Sequence, residues 1–204
     1  MIERRGSGVG RGAGRGPGRP REERVEPAVF DAVVAVIAEH GLGGLTMDGV
    51  ARRAGVSKPA IYRRWPTKQD LIIAAAESRV GPLTVPDLGD FRAELRTVLE
   101  ARLEAYRQPG VDRLLAGVIG AAAEEGAERG RYGAYTAGVM SATREILERG
   151  IARGDVRPDT DVRAMATMIA APLLFRLVGE MESPDSSLID AVTDSVCRAV
   201  AVRA

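Results

Sequence analysis

The sequence predicts an all-α protein of about nine helices, four short ones in an N-terminal helix-turn-helix domain and five longer ones in a C-terminal domain. Three observations carry this expectation. Ala, Leu, Val, Arg and Glu dominate while aromatics make up 4% of the 204 residues, a composition that favours helices over sheets. Apolar residues recur at helical spacing in stretch after stretch, and none alternates with period two for long enough to make a strand. Gly- and Pro-bearing breaks separate these stretches.

Composition also excludes several functions. One Cys (Cys197) and one His (His40) rule out a disulfide framework and any Cys/His zinc site. Glu124, Glu125 and Glu145 have no histidine to work with, so neither an enzyme centre nor a cofactor is expected. The longest uninterrupted apolar run, Met168–Phe175, is far too short to span a bilayer. No apolar segment follows the basic N-terminus, so a signal peptide is not indicated, and a cytoplasmic protein without a membrane partner is expected. Charge is unevenly distributed. Residues 1–80 carry 14 Lys+Arg against 9 Asp+Glu, and residues 81–204 carry 15 against 19. A basic first third on an acidic remainder implies that only the N-terminal part meets a polyanion.

Residues 1–24 are Arg/Gly-rich and of low complexity, and should be a disordered arm. Helical spacing begins at "EPAVFDAVVAVIAEHG", where Pro27 suits a first turn and Val29, Phe30, Val33, Val36 and Ile37 recur. Gly41 ends this helix, and His40 meets its C-terminal dipole. In "TMDGVARRAGV", Thr46 caps a second helix whose inward stripe is Met47, Val50, Ala51 and Ala54, and Gly55 closes it. Ser57 caps a third, with Pro59 in its first turn and a staple between Val56 and Ile61. Pro66 stops that helix after about eight residues, or about 12 Å. Thr67 and Asp70 open a fourth that runs to Gly81-Pro82. "GPLTVPDLGD" is the linker to the domain at 81–204. Five helical stretches follow, over about Phe91–Tyr106, Val111–Glu125, Arg129–Arg153, Thr160–Gly179 and Asp185–Val202.

Both lysines of the chain, Lys58 and Lys68, fall between Gly55 and Leu71, with Arg63 and Arg64 between them. Two short helices around a tight glycine turn are the sequence form of helix-turn-helix. Unwrapping the second at 100° per residue puts Ile61 and Trp65 inward and Pro59 and Arg63 outward. Tyr62 and Ala60 flank them, and Lys58 stands at the N-terminal end. Such a helix fits a major groove about 12 Å wide. Arg63 suits a guanine edge, while Pro59 and Ala60 suit a thymine methyl. Tyr62 and Lys58 suit phosphate, and Thr46 and Lys68 sit at helix starts that favour an anion. Arg53, Ser57 and Arg64 complete the candidate duplex-binding set.

"LTMDGVARRAGVSKPAIYRRWPTKQDLI" closely resembles the signature of the tetracycline-repressor (TetR) family of bacterial transcriptional regulators, with the likeness running from about Glu26 to Val80. "AEHG", Thr46, "VARRAGVS", Ile61-Tyr62 and the aromatic-x-x-Lys of Trp65 to Lys68 carry it. Gly49 departs from the pattern where an acidic residue is common, and Arg64-Trp65-Pro66 replaces a His/Tyr-Phe pair. "RPDTDVRAMATMIAAPLLFRLV" is similar to the family's eighth helix. The resemblance implies a homodimeric repressor that a small molecule releases from a palindromic operator.

In the arm, Gly18-Arg19-Pro20-Arg21 looks like an AT-hook core, so Arg19 and Arg21 are candidates for a narrow minor groove. An alternative reading makes the Arg/Gly tail an RNA-binding element on a helical module. Ala164–Val178 is apolar on nearly every side, and the last helix has an apolar stripe. Leu173, Leu177, Leu188, Val192, Val196 and Ala199 are therefore the candidates for half of a four-helix bundle completed by a twofold mate. Cys197, in that helix, reads as a small buried hydrophobe. An effector should bind between the helices of residues 91–179. Leu103, Tyr106, Leu114, Val118, Tyr135, Met140, Met165, Met168 and Phe175 would line that site. So apolar a wall predicts a small hydrophobic effector, aromatic or cationic.

Overall fold

A computed structural model describes residues 25–122 and 127–202. Among them there are ten α-helices and no strand. The arm of residues 1–24, with Arg19 and Arg21, lies outside the described residues.

The head is built from α1 (Val25–His40), α2 (Met47–Ala54), α3 (Lys58–Arg64) and α4 (Lys68–Arg79). Local chemistry fixes each boundary. Between α1 and α2 the chain makes a one-turn 3-10 helix, Leu42–Gly44, which the apolar spacing does not disclose. The Thr46 hydroxyl accepts from the Gly49 N–H at 3.0 Å and starts α2. Gly55 ends α2 in the left-handed conformation (φ 67°), and its N–H reaches back to the carbonyls of Ala51 and Arg52. Ser57 precedes α3 with extended backbone, but its hydroxyl makes no cap bond. Trp65, extended before Pro66, terminates α3. Thr67 and Asp70 form a reciprocal capping box at 3.0 Å in both directions, which opens α4.

The body comprises α5 (Phe91–Tyr106), α6 (Val111–Ala122), α7 (Ala127–Val139), α8 (Ser141–Arg153), α9 (Val162–Leu174) and α10 (Ser186–Val200). Asp90, Asp161 and Asp185 each cap a helix through their carboxylates. The single helix expected over 129–153 is broken at Met140. There the Thr136 hydroxyl bonds the carbonyls of Tyr132 and Gly133, and the Ser141 hydroxyl bonds that of Gly138. Such back-bonding bends a helix. A second irregularity follows Pro172 inside α9. Its missing N–H takes one bond from the ladder, and the chain widens into a π-turn over Phe175–Gly179.

Two buried cores result. One lies inside the head, around Val33, Ile37, Ile61, Trp65 and Leu71. Trp65 packs edge-on against Phe30, ring centroids 5.4 Å apart, and so locks the end of α3 to α1. Leu114, Val118 and Tyr135 of the body join this same core. The other core fills the body, around Leu95, Leu99, Ile146, Leu147, Ile169 and Leu173. Val162–Gly179 is long and apolar enough, by length and composition, to cross a membrane. Its Ala166, Ile169, Leu173 and Leu177 are nevertheless buried in the body core, where α9 packs on α8 and α10.

One charged group is fully enclosed. Glu94 on α5 is 0% exposed and holds three donors. Arg153 reaches its two oxygens at 3.1 and 3.2 Å, Arg149 approaches at 3.3 Å, and the Leu88 N–H donates at 3.0 Å. Removing one partner of such a pair leaves charge in a dry site and costs more than any exposed pair contributes. Glu94→Ala should therefore lower the unfolding free energy by about 3 kcal/mol. The exposed Glu145→Ala, which also loses a bond to Arg149, should cost under about 1 kcal/mol. Urea titrations giving equal losses for the two would mean that the cluster is open to water.

Candidate DNA-reading face and effector cavity

The geometry of α3 follows from its two inward residues. Ile61 is 0% and Trp65 7% exposed, so the opposite side of this seven-residue helix must face outward. Lys58, Pro59, Tyr62 and Arg63 are exposed there, and Ala60 is half-buried on the flank. The Lys58 ammonium stands over the Tyr62 ring, 5.8 Å from its centre. It also bonds Asp48 of α2 at 2.8 Å, and this hydrogen bond holds its pKa above the usual lysine value. The face therefore presents an apolar centre between cationic and phenolic edges.

Several other cations of the head have structural partners. Arg53 gives both terminal nitrogens to Glu39 at 2.6 Å, the bidentate fork of α2 onto α1. That fork lowers the Glu39 pKa and raises that of Arg53. Arg64 is turned back toward Glu26 at 3.5 Å and is largely covered. Lys68 donates to the Leu42 carbonyl at 2.9 Å and so ties α4 to the 3-10 turn. Arg64 and Lys68, expected on the duplex side, thus also brace the head, because their long stems reach acceptors on neighbouring turns. Thr46 and Ser57 stay exposed at the starts of α2 and α3.

A cavity of about 360 Å³ opens between α5, α6, α7 and α9. Val118 and Tyr135 on its wall belong to the head core, while Val80, Tyr106 and Leu115 belong to the body core. The space therefore lies on the seam between the two. Its wall is mostly apolar, with the phenols of Tyr106 and Tyr135 pushed up in pKa by burial. Beside it Arg102 is buried, donating to the carbonyls of Gly81 at 3.2 Å and Val139 at 3.1 Å. Desolvation lowers the pKa of this guanidinium.

Of the nine residues expected to line an effector site, Tyr106, Val118, Tyr135 and Met140 do line the cavity. Leu114 is buried in the head core, and Leu103 is buried in the body core with Met165 packed against it. Met168 and Phe175 require correction: they are 62% and 63% exposed and face away from the interior. The converse correction applies to Leu173, Leu177, Val192 and Val196, which are buried in the protomer's own core. Leu188 is half-buried and Ala199 exposed. On α9 the cause is that a helix apolar on every side carries no phase from which its inner face can be read, whereas the stripe of α10 is one-sided and faces the protomer's own core. Tyr132, Thr136 and Val139 were missed as lining, although with Tyr135 they recur at helical spacing on α7, just before Met140.

A helix-turn-helix head on a cavity-bearing helical body defines a ligand-responsive DNA-binding regulator as a class. Residues 29–75 match the family described as bacterial regulatory proteins, tetR family. Residues 85–196 match the tetracyclin repressor-like C-terminal domain. Uncharacterized HTH-type transcriptional regulator YdeS of Bacillus subtilis is 32% identical, over 78% of this chain and 81% of its own. HTH-type transcriptional regulator AqdR of Rhodococcus erythropolis is 31% identical, over 70% and 69%. Among solved structures, the TetR family transcription regulator SCO0332 aligns with a TM-score of 0.63 at 28% identity, covering 88% of this chain and 100% of its own. The chain belongs to the TetR family of transcriptional regulators, whose members bind operator DNA, form dimers and typically respond to small molecules.

The Arg53–Glu39 fork gives a direct test of the head's electrostatics. Glu39→Gln removes one negative charge and unlocks the guanidinium, so affinity for duplex DNA should rise severalfold, with a salt slope steeper by about one unit. Fluorescence anisotropy across a salt series measures both. An unchanged slope would mean that Arg53 meets no phosphate.

Proposed function

We propose that this chain is a dimeric repressor that reads a palindromic operator through residues 25–80 and is released by a small molecule held in residues 81–204. The observation that carries this reading is the outward face of α3, where Lys58, Pro59, Ala60, Tyr62 and Arg63 stand opposite buried Ile61 and Trp65. Arg63 is assigned to a guanine edge, Pro59 and Ala60 to a thymine methyl, and Lys58 and Tyr62 to phosphate. Thr46 and Ser57, at the starts of α2 and α3, are assigned to the strand alongside. A twofold dimer makes the half-sites inverted repeats, about 34 Å apart or a multiple of that. Such a regulator works where the chromosome is, in the cytoplasm.

The dimer face is assigned to the outer sides of α9 and α10. Met168, Ala171 and Phe175 make one exposed stripe, and Ala191, Ser195 and Ala199 beside Leu188 make another. The α9 and α10 helices pack on each other, so the stripes adjoin. Exposed apolar area of this kind on paired helices suits a second copy. The effector reading is supported by the cavity's seam position, since a molecule there touches side chains of both cores.

Two experiments test these roles. Lys58→Ala should weaken binding to all duplexes and reduce the salt slope by about one unit, whereas Arg63→Ala should cost about 1–3 kcal/mol and relax one base position. Parental behaviour in both variants would remove α3 from the groove. For the dimer, Phe175→Asp should sediment as a folded monomer, while Val192→Asp, which puts a charge into the protomer core, should unfold. A dimeric Phe175→Asp variant would move the interface elsewhere.

A further inference from the structure

The acidic body keeps its arginines paired almost everywhere except around the cavity. Arg92 pairs with Asp194, Arg96 with Asp190 and Glu100, Arg149 and Arg153 with Glu94, and Arg176 with Glu180. Among the body arginines whose side chains are described, five have no described carboxylate within salt-bridge distance: Arg102, Arg113, Arg144, Arg163 and Arg198. Two of them lie elsewhere. Arg113 donates to the carbonyls of Ile37 and Ala38 at the end of α1, and Arg198 lies beside Ser195. The other three border one connected space.

That space has an inner and an outer part. The inner cavity and an open basin of about 480 Å³ share Thr136, Met140 and Thr167 as their dividing wall. Arg144 of α8 and Arg163 of α9 line the outer basin. Arg144 is engaged only with carbonyls, those of Met140 and Ala137. On the inner side, Arg102 lines a narrow recess that shares Tyr106, Val139, Met140 and Ala170 with the cavity. Met140 thus borders all three spaces, and a flexible thioether there can yield to a ligand that passes from one to another.

We infer that the effector is an anionic amphiphile, an apolar body in the inner cavity with a carboxylate held by Arg144 and Arg163 in the outer basin. This rests on the reading of the cavity as the effector site, and it replaces the aromatic or cationic ligand that the apolar wall alone suggests. A cation would meet three guanidinium groups without a carboxylate partner, against the single charge of Glu77 that reaches Tyr135 on the cavity wall. A planar carboxylate suits two guanidinium forks, and Arg102 adds its field from the inner side. The polar part of the ligand stays half-solvated in the open basin, so its desolvation cost is small while its apolar part loses much of its contact with water.

The test uses the full-length chain with three probes of one length and different charge: decanoate, decanol and decyltrimethylammonium, each below its micellar concentration. Calorimetric titration should give decanoate at least about tenfold tighter than decanol, with the cation weakest, and the decanoate advantage should shrink with added salt. The double variant Arg144→Gln, Arg163→Gln should lose about tenfold for decanoate and keep its affinity for decanol. The matching double lysine variant should retain most of the preference. Equal or tighter binding of decanol or of the cation would overturn the charge assignment while leaving the cavity as an apolar ligand site. If the glutamine variant keeps the full preference, the anion is not held at this basin. If none of the three probes binds, the cavity reading falls together with the inference drawn from it.

Discussion

Helix α4 has to be buried on two sides at once, and the rest of the molecule is arranged around that requirement. Leu71, Ile72, Ile73, Ala75 and Ala76 are all buried, which leaves only a narrow strip of half-buried Ala74 and exposed Glu77 and Ser78 for solvent. On one side it closes the head core with α1, and on the other it packs on α6 and α7. Its first turn is fixed twice over. Asp70 completes the capping box with Thr67 and also pairs with Arg131 on α7. Its other end runs into Val80, which lines the cavity, and Gly81, whose carbonyl accepts from buried Arg102. Packing on α4 thus joins α6 and α7 to α1, and Trp65 on Phe30 joins α1 to the end of α3.

How much of this was legible in the sequence depends on what each signal encodes. Boundaries set by local chemistry were readable: Thr46, Gly55, Thr67 with Asp70 and Pro66 act within a few residues of themselves, and each does in the structure what its chemistry predicts. The inward pair Ile61 and Trp65 was readable because α3 is strongly two-faced. Interactions between distant segments were not. Nothing near Arg53 announces that Glu39 will take its fork, and nothing near Lys68 announces the Leu42 carbonyl. The α9 helix failed for the opposite reason, since apolar residues on all sides hide which of Met168, Leu173, Phe175 and Leu177 face inward. The signals at Thr136, Ser141 and Pro172 were present but not read, and each marks a break in helical bonding.

The paired state of the head's cations changes what binding to a polyanion means energetically. Arg53 and Lys58 are each already bonded to a carboxylate, so a phosphate must compete with Glu39 and Asp48 rather than with water alone. Exposed pairs of this kind are weak, so the exchange is permitted, but it is not neutral. It trims the affinity for any duplex and leaves the discrimination at base edges untouched, because that depends on fit at α3. A head built in this way favours specificity over raw attraction. It accords with a chain whose net charge is only +1.

The same modesty of scale makes the switch feasible. A tenfold change in operator affinity needs a coupling of about 1.4 kcal/mol, within the usual range for linked sites. Burying or exposing a single methylene is worth about 0.8 kcal/mol, so repacking one or two side chains at the seam supplies enough. Val118 and Tyr135 are the side chains placed to do it, since both line the cavity and both belong to the head core. A ligand that prefers one packing of these two over the other shifts the α3 pair in the dimer toward or away from successive grooves. The effect grows with the ligand's preference between the two packings and not with how tightly it binds, because equal affinity for both would move nothing. A larger cavity would hold a tighter ligand without making a better switch. On the proposed effector reading, position on the seam, where one molecule touches both cores, is what would give this chain a means of control.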